Sequence, residues 1–158
     1  CFLLLCSVKS RGGLSSKSII DKIVVLKSKR ILLIYTQNQV VKTYKIALGR
    51  QPVGKKEIEG DKKTPEGNYT IWKKGPHAKY HKYLFISYPN KSDVINAHKK
   101  NKEPGGLIYI HGLNKRYAKV GKLHTLSDWT LGCIAVTNDE IDELYKLIKV
   151  GTKIEIKP

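Results

Sequence analysis

The alternation of apolar and polar positions predicts a series of short strands followed by one strong helix. Ile23-Val24-Val25-Leu26 is a β-branched run, and Ser28-Lys29-Arg30 behind it reads as a turn. Ile31-Leu32-Leu33-Ile34-Tyr35 predicts a second strand, Gln37-Asn38 a second turn, and residues 40–48 a third strand with partial alternation. Together these predict a β-meander. Residues 49–67 carry Gly54, Gly60, Pro65 and Gly67 and read as a long loop. Strands resume at residues 68–73 and 83–88, and Ser92 is placed to cap a short helix running to Lys100. Pro104-Gly105-Gly106 turns the chain into Leu107-Ile108-Tyr109-Ile110, a short buried strand that ends at His111-Gly112. A polar stretch follows to Thr130, and Cys133-Ile134-Ala135-Val136 is again short and apolar.

Thr137, with Glu140 three residues on, fits a capping box in which each side chain satisfies the other's backbone donor. Ile141, Leu144, Tyr145 and Ile148 fall at i, i+3, i+4 and i+7, so one face of this helix is apolar. Gly151 suits the helix end and residues 152–156 a final strand. The expected fold is mostly β, a β-rich α+β domain over residues 22–158 with one main amphipathic helix near the C-terminus. Residues 1–21 are expected to be a leader remnant or flexible arm, because residues 8–20 are rich in Ser, Gly and Lys.

A chain of 158 residues allows one domain with a real hydrophobic core. Its 41% hydrophobic and 27% charged residues exclude intrinsic disorder, which needs an apolar-poor chain. Lys and Arg number 30 against 13 Asp and Glu, and the net charge of +17 calls for an acidic partner. Nucleic acid is the weaker candidate, because the lysines are spread along the chain without zinc-finger spacing or a stacked-aromatic motif. Of the three cysteines only Cys133 lies in the domain body, so no disulfide forms within it. His77, His81, His98, His111 and His124 have no thiols at metal-ligand spacing, so no metal is expected. All but His111 read as mostly solvated surface residues.

Cys133 follows Gly132 at the entry to an apolar strand just before a helix. Its thiol is either a nucleophile or a buried structural group. As a nucleophile it needs a base, since only the thiolate attacks. His111, on a Gly turn at a strand end, is the natural partner or else a hydrogen-bonded structural histidine. Gly112 frees the local backbone to present a carbonyl to one ring nitrogen. Asp128 reads as a turn or capping residue rather than a catalytic acid.

Ile108-Tyr109-Ile110-His111-Gly112, followed by Asp128-Trp129-Thr130-Leu131-Gly132-Cys133-Ile134-Ala135-Val136, resembles the signature of the L,D-transpeptidase catalytic (YkuD-type) domain. Gly60-Asp61-Lys62-Lys63-Thr64-Pro65-Glu66-Gly67-Asn68-Tyr69 is similar to a second family segment. The closing helix and strand from Leu144 to Ile154 fit as well, so the resemblance covers nearly the whole body. Two positions depart from it. Leu131 stands where the family often has His, and Ala135 where it often has Arg or Asn.

The resemblance implies a β-sandwich or barrel-like fold and a peptidoglycan L,D-transpeptidase. Cys133 would be the nucleophile and His111 the proton donor and acceptor, with a thiolate–imidazolium pair as one resting form. The Gly112 carbonyl would orient the ring. Thr130, Leu131 and Gly132 would support the Cys loop and its oxyanion donors. Trp129 and Tyr109 would wall the substrate groove, or else pack the core. The implied substrate is a tetrapeptide stem, cleaved before its terminal D-Ala and joined to an amine of another stem, with no cofactor or metal. An L,D-carboxypeptidase or a peptidoglycan–protein amide hydrolase would use the same two residues. A basic nucleic-acid or wall-binding module without catalysis is the reading of another class.

Anionic cell-envelope polymers suit the charge, and a monomer in the bacterial envelope or periplasm is expected. Leu3-Leu4-Leu5-Cys6 faintly resembles a lipoprotein box, though with Leu5 where a small residue is usual. Membrane contact is expected only through such a retained or lipidated leader.

Overall fold

The computed structural model describes residues 19–158. The expectations for the leader, including Cys6, lie outside those residues. Strands β1 (Lys22–Leu26), β2 (Ile31–Thr36) and β3 (Gln39–Lys45) form the expected meander. The long strand β4 (Gly67–His77) and β5 (His81–Ile86) make a hairpin, followed by α1 (Lys91–His98). Next come β6 (Tyr109–His111), a 3-10 segment (Lys115–Leu126), β7 (Ile134–Ala135), α2 (Asn138–Leu147) and β8 (Lys153–Lys157). The sheet order is β3-β2-β1-β8-β4-β5-β6-β7. Among these strands, β1–β8 and β6–β7 pair in parallel and the rest antiparallel.

The two ends of the sheet meet. Just beyond β3, Ala47 and Ala135 exchange both backbone hydrogen bonds, at 3.0 and 2.9 Å. Thr130 N–H donates to the Leu48 carbonyl at 3.1 Å and Arg50 N–H to the Thr130 carbonyl at 3.0 Å. This closure makes the domain barrel-like and leaves neither outer strand as a free edge there. It also ties the segment just before Cys133 to the first half of the chain.

Alternation explains the core. Leu32 and Ile34 of β2, Leu84 and Ile86 of β5 and Ile154 and Ile156 of β8 turn inward, in step with the period of two. The fully buried Ile141, Leu144 and Ile148 of and just after α2 pack against the same core. The capping box of α2 forms as expected: Glu140 N–H donates to Thr137 Oγ1 at 3.3 Å, and Thr137 N–H to Glu140 Oε2 at 2.9 Å.

Three local expectations need correction. The cap of α1 is Asn90, not Ser92. Asn90 Oδ1 accepts from Asp93 N–H and Asp93 Oδ2 from Asn90 N–H, both at 3.0 Å, a capping box with Asp in the Glu role. Strand β4 runs four residues past Lys73, because Lys73 to His77 pair with β5. Lys74 Nζ on that extension donates to the Tyr145 and Ile148 carbonyls at the end of α2, at 2.7 and 2.8 Å. Finally, the polar stretch before Thr130 is helical over Lys115–Leu126, in two pieces broken at Gly121 (φ 54°, ψ −135°). Among the described residues, no helix is long and apolar enough to cross a membrane.

Candidate active site

The site sits on β6 and β7 and on the loop leading into β7. The strands pair in parallel, Ile110 opposite Ile134 and His111 opposite Ala135. Cys133 therefore lies beside Tyr109, and the Tyr109 N–H reaches its Sγ at 3.5 Å. Because side chains alternate, His111 and Cys133 share one face of neighbouring strands, while Ile110 and Ile134 point into the core. The structure thus brings the two residues to one place. Half-buried Cys133 is held lightly, its thiol donating to the Leu107 carbonyl at 3.5 Å.

His111 is held firmly. It is 3% exposed, and its Nδ1 lies 2.7 Å from the Gly112 carbonyl. A carbonyl only accepts, so Nδ1 carries the proton and Nε2 is left with its lone pair. Tyr80 stacks on the ring at 4.4 Å and 30°, and Trp129 meets it edge-on at 5.8 Å. Gly112 has to be glycine here. A Cβ would stand 2.5 Å from Asn138 Oδ1 and 2.9 Å from Ile141 Cγ2.

Thr130 frames the Cys loop. Its hydroxyl donates to the Cys133 carbonyl at 2.7 Å and accepts from Gly132 N–H at 3.1 Å. The Gly132 amide is therefore already paired. Leu131 is 69% exposed, so its side chain packs little. Gly132 has φ 134°, and a Cβ there would meet the Lys63 carbonyl oxygen at 2.7 Å. Replacing Thr130 with Val keeps the shape but leaves the Gly132 N–H and Cys133 carbonyl unpaired, at about 1–3 kcal/mol each. We expect a Tm drop of several degrees and a larger loss in kcat than in KM, read by thermal denaturation and steady-state kinetics. Unchanged kcat would mean the hydroxyl does not position Cys133.

The Gly60–Tyr69 segment explains itself at this point. Burial opposes the Asp61 charge, but Lys56 at 2.8 Å and the backbone N–H groups of Glu57, Ile58 and Lys63 outweigh it and hold the carboxyl below its usual range. Buried Thr64 accepts the Gly49 N–H at 3.0 Å. Lys27, 2% exposed, reaches the Gly54 carbonyl at 2.7 Å, the Thr64 carbonyl at 3.0 Å and Glu66 at 2.7 Å. This loop is the surface against which Gly132 packs. Asp128 is structural: it binds the Arg30 guanidinium through both oxygens and accepts the Leu48 N–H.

Around the pair runs an aromatic face that the sequence reading identified only at Tyr109 and Trp129. Tyr109 contacts Phe85 at 4.6 Å, Tyr83 at 5.2 Å and His77 at 6.0 Å, and Trp72 extends the row beside Phe85 at 4.9 Å. The period of two in Tyr83 and Phe85 was the available signal; the register that sets them beside β6 was not. Of the other histidines, His98 is exposed as expected but His124 is not solvated. His124 is 7% exposed against Trp129, and His77 Nδ1 accepts the Lys79 and Tyr80 N–H groups. Burial removes the water that would have stabilised charge on His124.

Electrostatics favour neutral forms. Burial pushes the Cys133 thiol up to about 11, with the Tyr109 N–H and Lys56 pulling the other way. Burial also lowers His111 to about 4, opposed by the Gly112 carbonyl and reinforced by His77 and His124. Both shifts favour a neutral thiol and a neutral imidazole at pH 7 over the thiolate–imidazolium pair. The thiolate fraction is about a hundredfold below that of an ordinary cysteine, partly offset by higher intrinsic nucleophilicity. Iodoacetamide should alkylate Cys133 about tenfold more slowly than free cysteine at pH 7, with the rate climbing towards pH of about 11. A rate plateau reached below neutrality would show an ion pair instead.

Residues 20–156 match the model of the L,D-transpeptidase catalytic domain, YkuD. YafK of Escherichia coli (strain K12) is 29% identical over 132 residues, covering 80% of this chain and 46% of that protein. YqjB of Bacillus subtilis (strain 168) is 31% identical over 138 residues, covering 85% of this chain and 69% of that protein. Among solved structures, the helical cell shape determining protein Pgp2 from Campylobacter jejuni matches with TM-score 0.66 at 25% identity, over 87% of this chain and 47% of that one. Bd1075 of Bdellovibrio bacteriovorus matches with TM-score 0.63 at 27% identity, over 90% of this chain and 49% of that one. The chain spans about half the length of YafK and of both structures. With the closed sheet, the His-Gly turn and the Gly-Cys loop all in the matched span, this chain belongs to the YkuD family of L,D-transpeptidase catalytic domains.

Proposed function

We propose that the domain is a cysteine acyltransferase that cleaves the terminal D-Ala from a peptidoglycan tetrapeptide stem and passes the acyl group to an amine of another stem. The observation that carries this reading is the His111 imidazole fixed through Nδ1 on the Gly112 carbonyl, on the same face as the Cys133 thiol. Nε2 takes the thiol proton as sulfur attacks the carbonyl carbon of the third stem residue. The carbon–nitrogen bond to D-Ala breaks, and His111 returns the proton to the departing amine. The acceptor amine then attacks the thioester, loses a proton to His111, and the thiol is restored. Backbone amides at the Cys loop hold the oxyanion in both steps; losing one such donor typically costs about 2.7–4 kcal/mol of barrier. The net charge of +17 supports an association with anionic envelope polymers at the bacterial cell wall.

Water as acceptor gives an L,D-carboxypeptidase, and one observation favours that second reading. Ala135 is fully buried between Ala47 and His111 in the seam of the sheet, so no long polar side chain there orients an acceptor. Incubation with a disaccharide-tetrapeptide, followed by mass spectrometry, separates the two. Cross-linked dimers with released D-Ala mean transfer, and tripeptide without dimers means hydrolysis. Untouched tetrapeptide with folded protein would overturn both.

A further inference from the structure

Lys115–Leu126 is a 3-10 segment, so residues three apart fall in one row. Its residues sort by that period. Tyr117, Val120, Leu123 and Leu126 form an apolar row, Arg116, Lys119 and Lys122 a basic row, and a third row holds Ala118 and His124. Exposure follows the same step on both sides of the break at Gly121. His124 is buried against Trp129 and Ala118 is half-buried, so the third row faces the domain. Every member of the other two rows is exposed, Leu123 at 66% and Leu126 at 82%. A lone exposed leucine is ordinary, but a row of large apolar side chains in water marks a contact surface.

Charge says what covers the row. The segment has no Asp or Glu, and Lys115 adds a further cation at its start. Lys79 joins Lys115 and Arg116 around a shallow hollow beside it. Among the described residues, none of Lys79, Lys115, Arg116, Lys119 and Lys122 is in an ion pair. A hydrophilic anionic polymer would meet these cations but leave the leucines in water. An anionic lipid surface takes both rows at once: headgroup phosphates meet the cations, and the acyl boundary takes the apolar side chains. The long stems of Lys119 and Lys122 let their charges reach back to the headgroups while the neighbouring leucines sink.

We propose that Lys115–Leu126 is an interfacial docking element, which lays its apolar row in the headgroup boundary of an anionic membrane. The contact belongs to the domain body, separate from any leader, and it does not depend on which acyl acceptor the site uses. It is a reversible contact, because a single short segment lies flat rather than spanning. Tyr117, Val120 and Leu123 also line a cavity of about 410 Å³ that Trp129 borders, so a docked domain holds that cavity at the membrane surface.

The test is co-sedimentation of the full chain with vesicles of phosphatidylglycerol and phosphatidylcholine, compared with phosphatidylcholine alone, at low and high salt. Binding is expected to need phosphatidylglycerol and to weaken with salt. Leu123→Ser with Leu126→Ser is expected to weaken it at least about tenfold, through the lost apolar burial. Lys119→Glu with Lys122→Glu is expected to weaken it at least as much, through charge. Tm should stay unchanged in both pairs, since all four side chains are exposed. In Leu126→Trp, brominated acyl chains should quench the added indole beyond the quenching seen in the parent. No binding to either vesicle overturns the proposal. So does the absence of added quenching, which would leave the row outside the lipid. A serine pair that binds as tightly as the parent overturns it too, since charge alone would then hold the domain. If that pair also converts the tetrapeptide more slowly, the row serves the substrate instead.

Discussion

Replacing Cys133 with Ala is expected to lower the release of D-Ala from a tetrapeptide by at least about 10⁴-fold, with Tm moving by only a few degrees. The size follows from the role. Without the thiol no acyl-enzyme forms, and what remains is water aided by the amides of the loop. The small stability change follows from the contacts. Both hydrogen bonds of the sulfur are 3.5 Å long, and the loop is framed by Thr130, whose bonds use the backbone of Gly132 and Cys133 rather than the thiol. Release assays paired with thermal denaturation check both halves. A folded Cys133→Ala chain retaining a tenth of the activity would show that the chemistry runs elsewhere.

The second large effect is expected at a residue that takes no part in the chemistry. Lys27→Met should lower Tm by about 10 °C. Breaking a buried ion pair from one side costs about 3–5 kcal/mol, and in a domain of this size each kcal/mol shifts Tm by about 2–4 °C. Lys27 holds Glu66 and two carbonyls of the loop that packs against Gly132 and Gly49. Activity should therefore fall below what the loss of folded protein explains. Pairing Lys27→Met with Glu66→Leu should recover part of the Tm, since no charge is then left stranded. A Lys27→Met chain as stable as the parent would show that the loop stands without its lysine.

The contrast between these residues shows what was legible in the sequence. Strands β1 and β2 were readable because a β-branched run between turn residues is a local signal. The same holds for α2, whose cap and apolar stripe lie within twelve residues. Cys133 and His111 were readable because their neighbours carry a family pattern. Lys27 was not, because its partners lie 27 to 39 residues away and a lysine in a turn ordinarily faces water. The closure of the sheet at Ala47 and Ala135 was hidden for the same reason: alanine carries no pairing signal. The helical segment before Thr130 was masked by its lysines. Its apolar Tyr117, Val120, Leu123 and Leu126 recur every three residues, the 3-10 period, where a search at 3.6 finds no stripe.

In the proposed reaction Cys133 carries the acyl group. The most direct measurement is intact-protein mass spectrometry after rapid mixing with the tetrapeptide and acid quenching, with peptide mapping of any adduct. The expected result is an added mass equal to the tetrapeptide less D-Ala, on the peptide containing Cys133, and no such mass in Cys133→Ala. Release of D-Ala at full rate with no adduct on Cys133, or with the adduct on another residue, would contradict it.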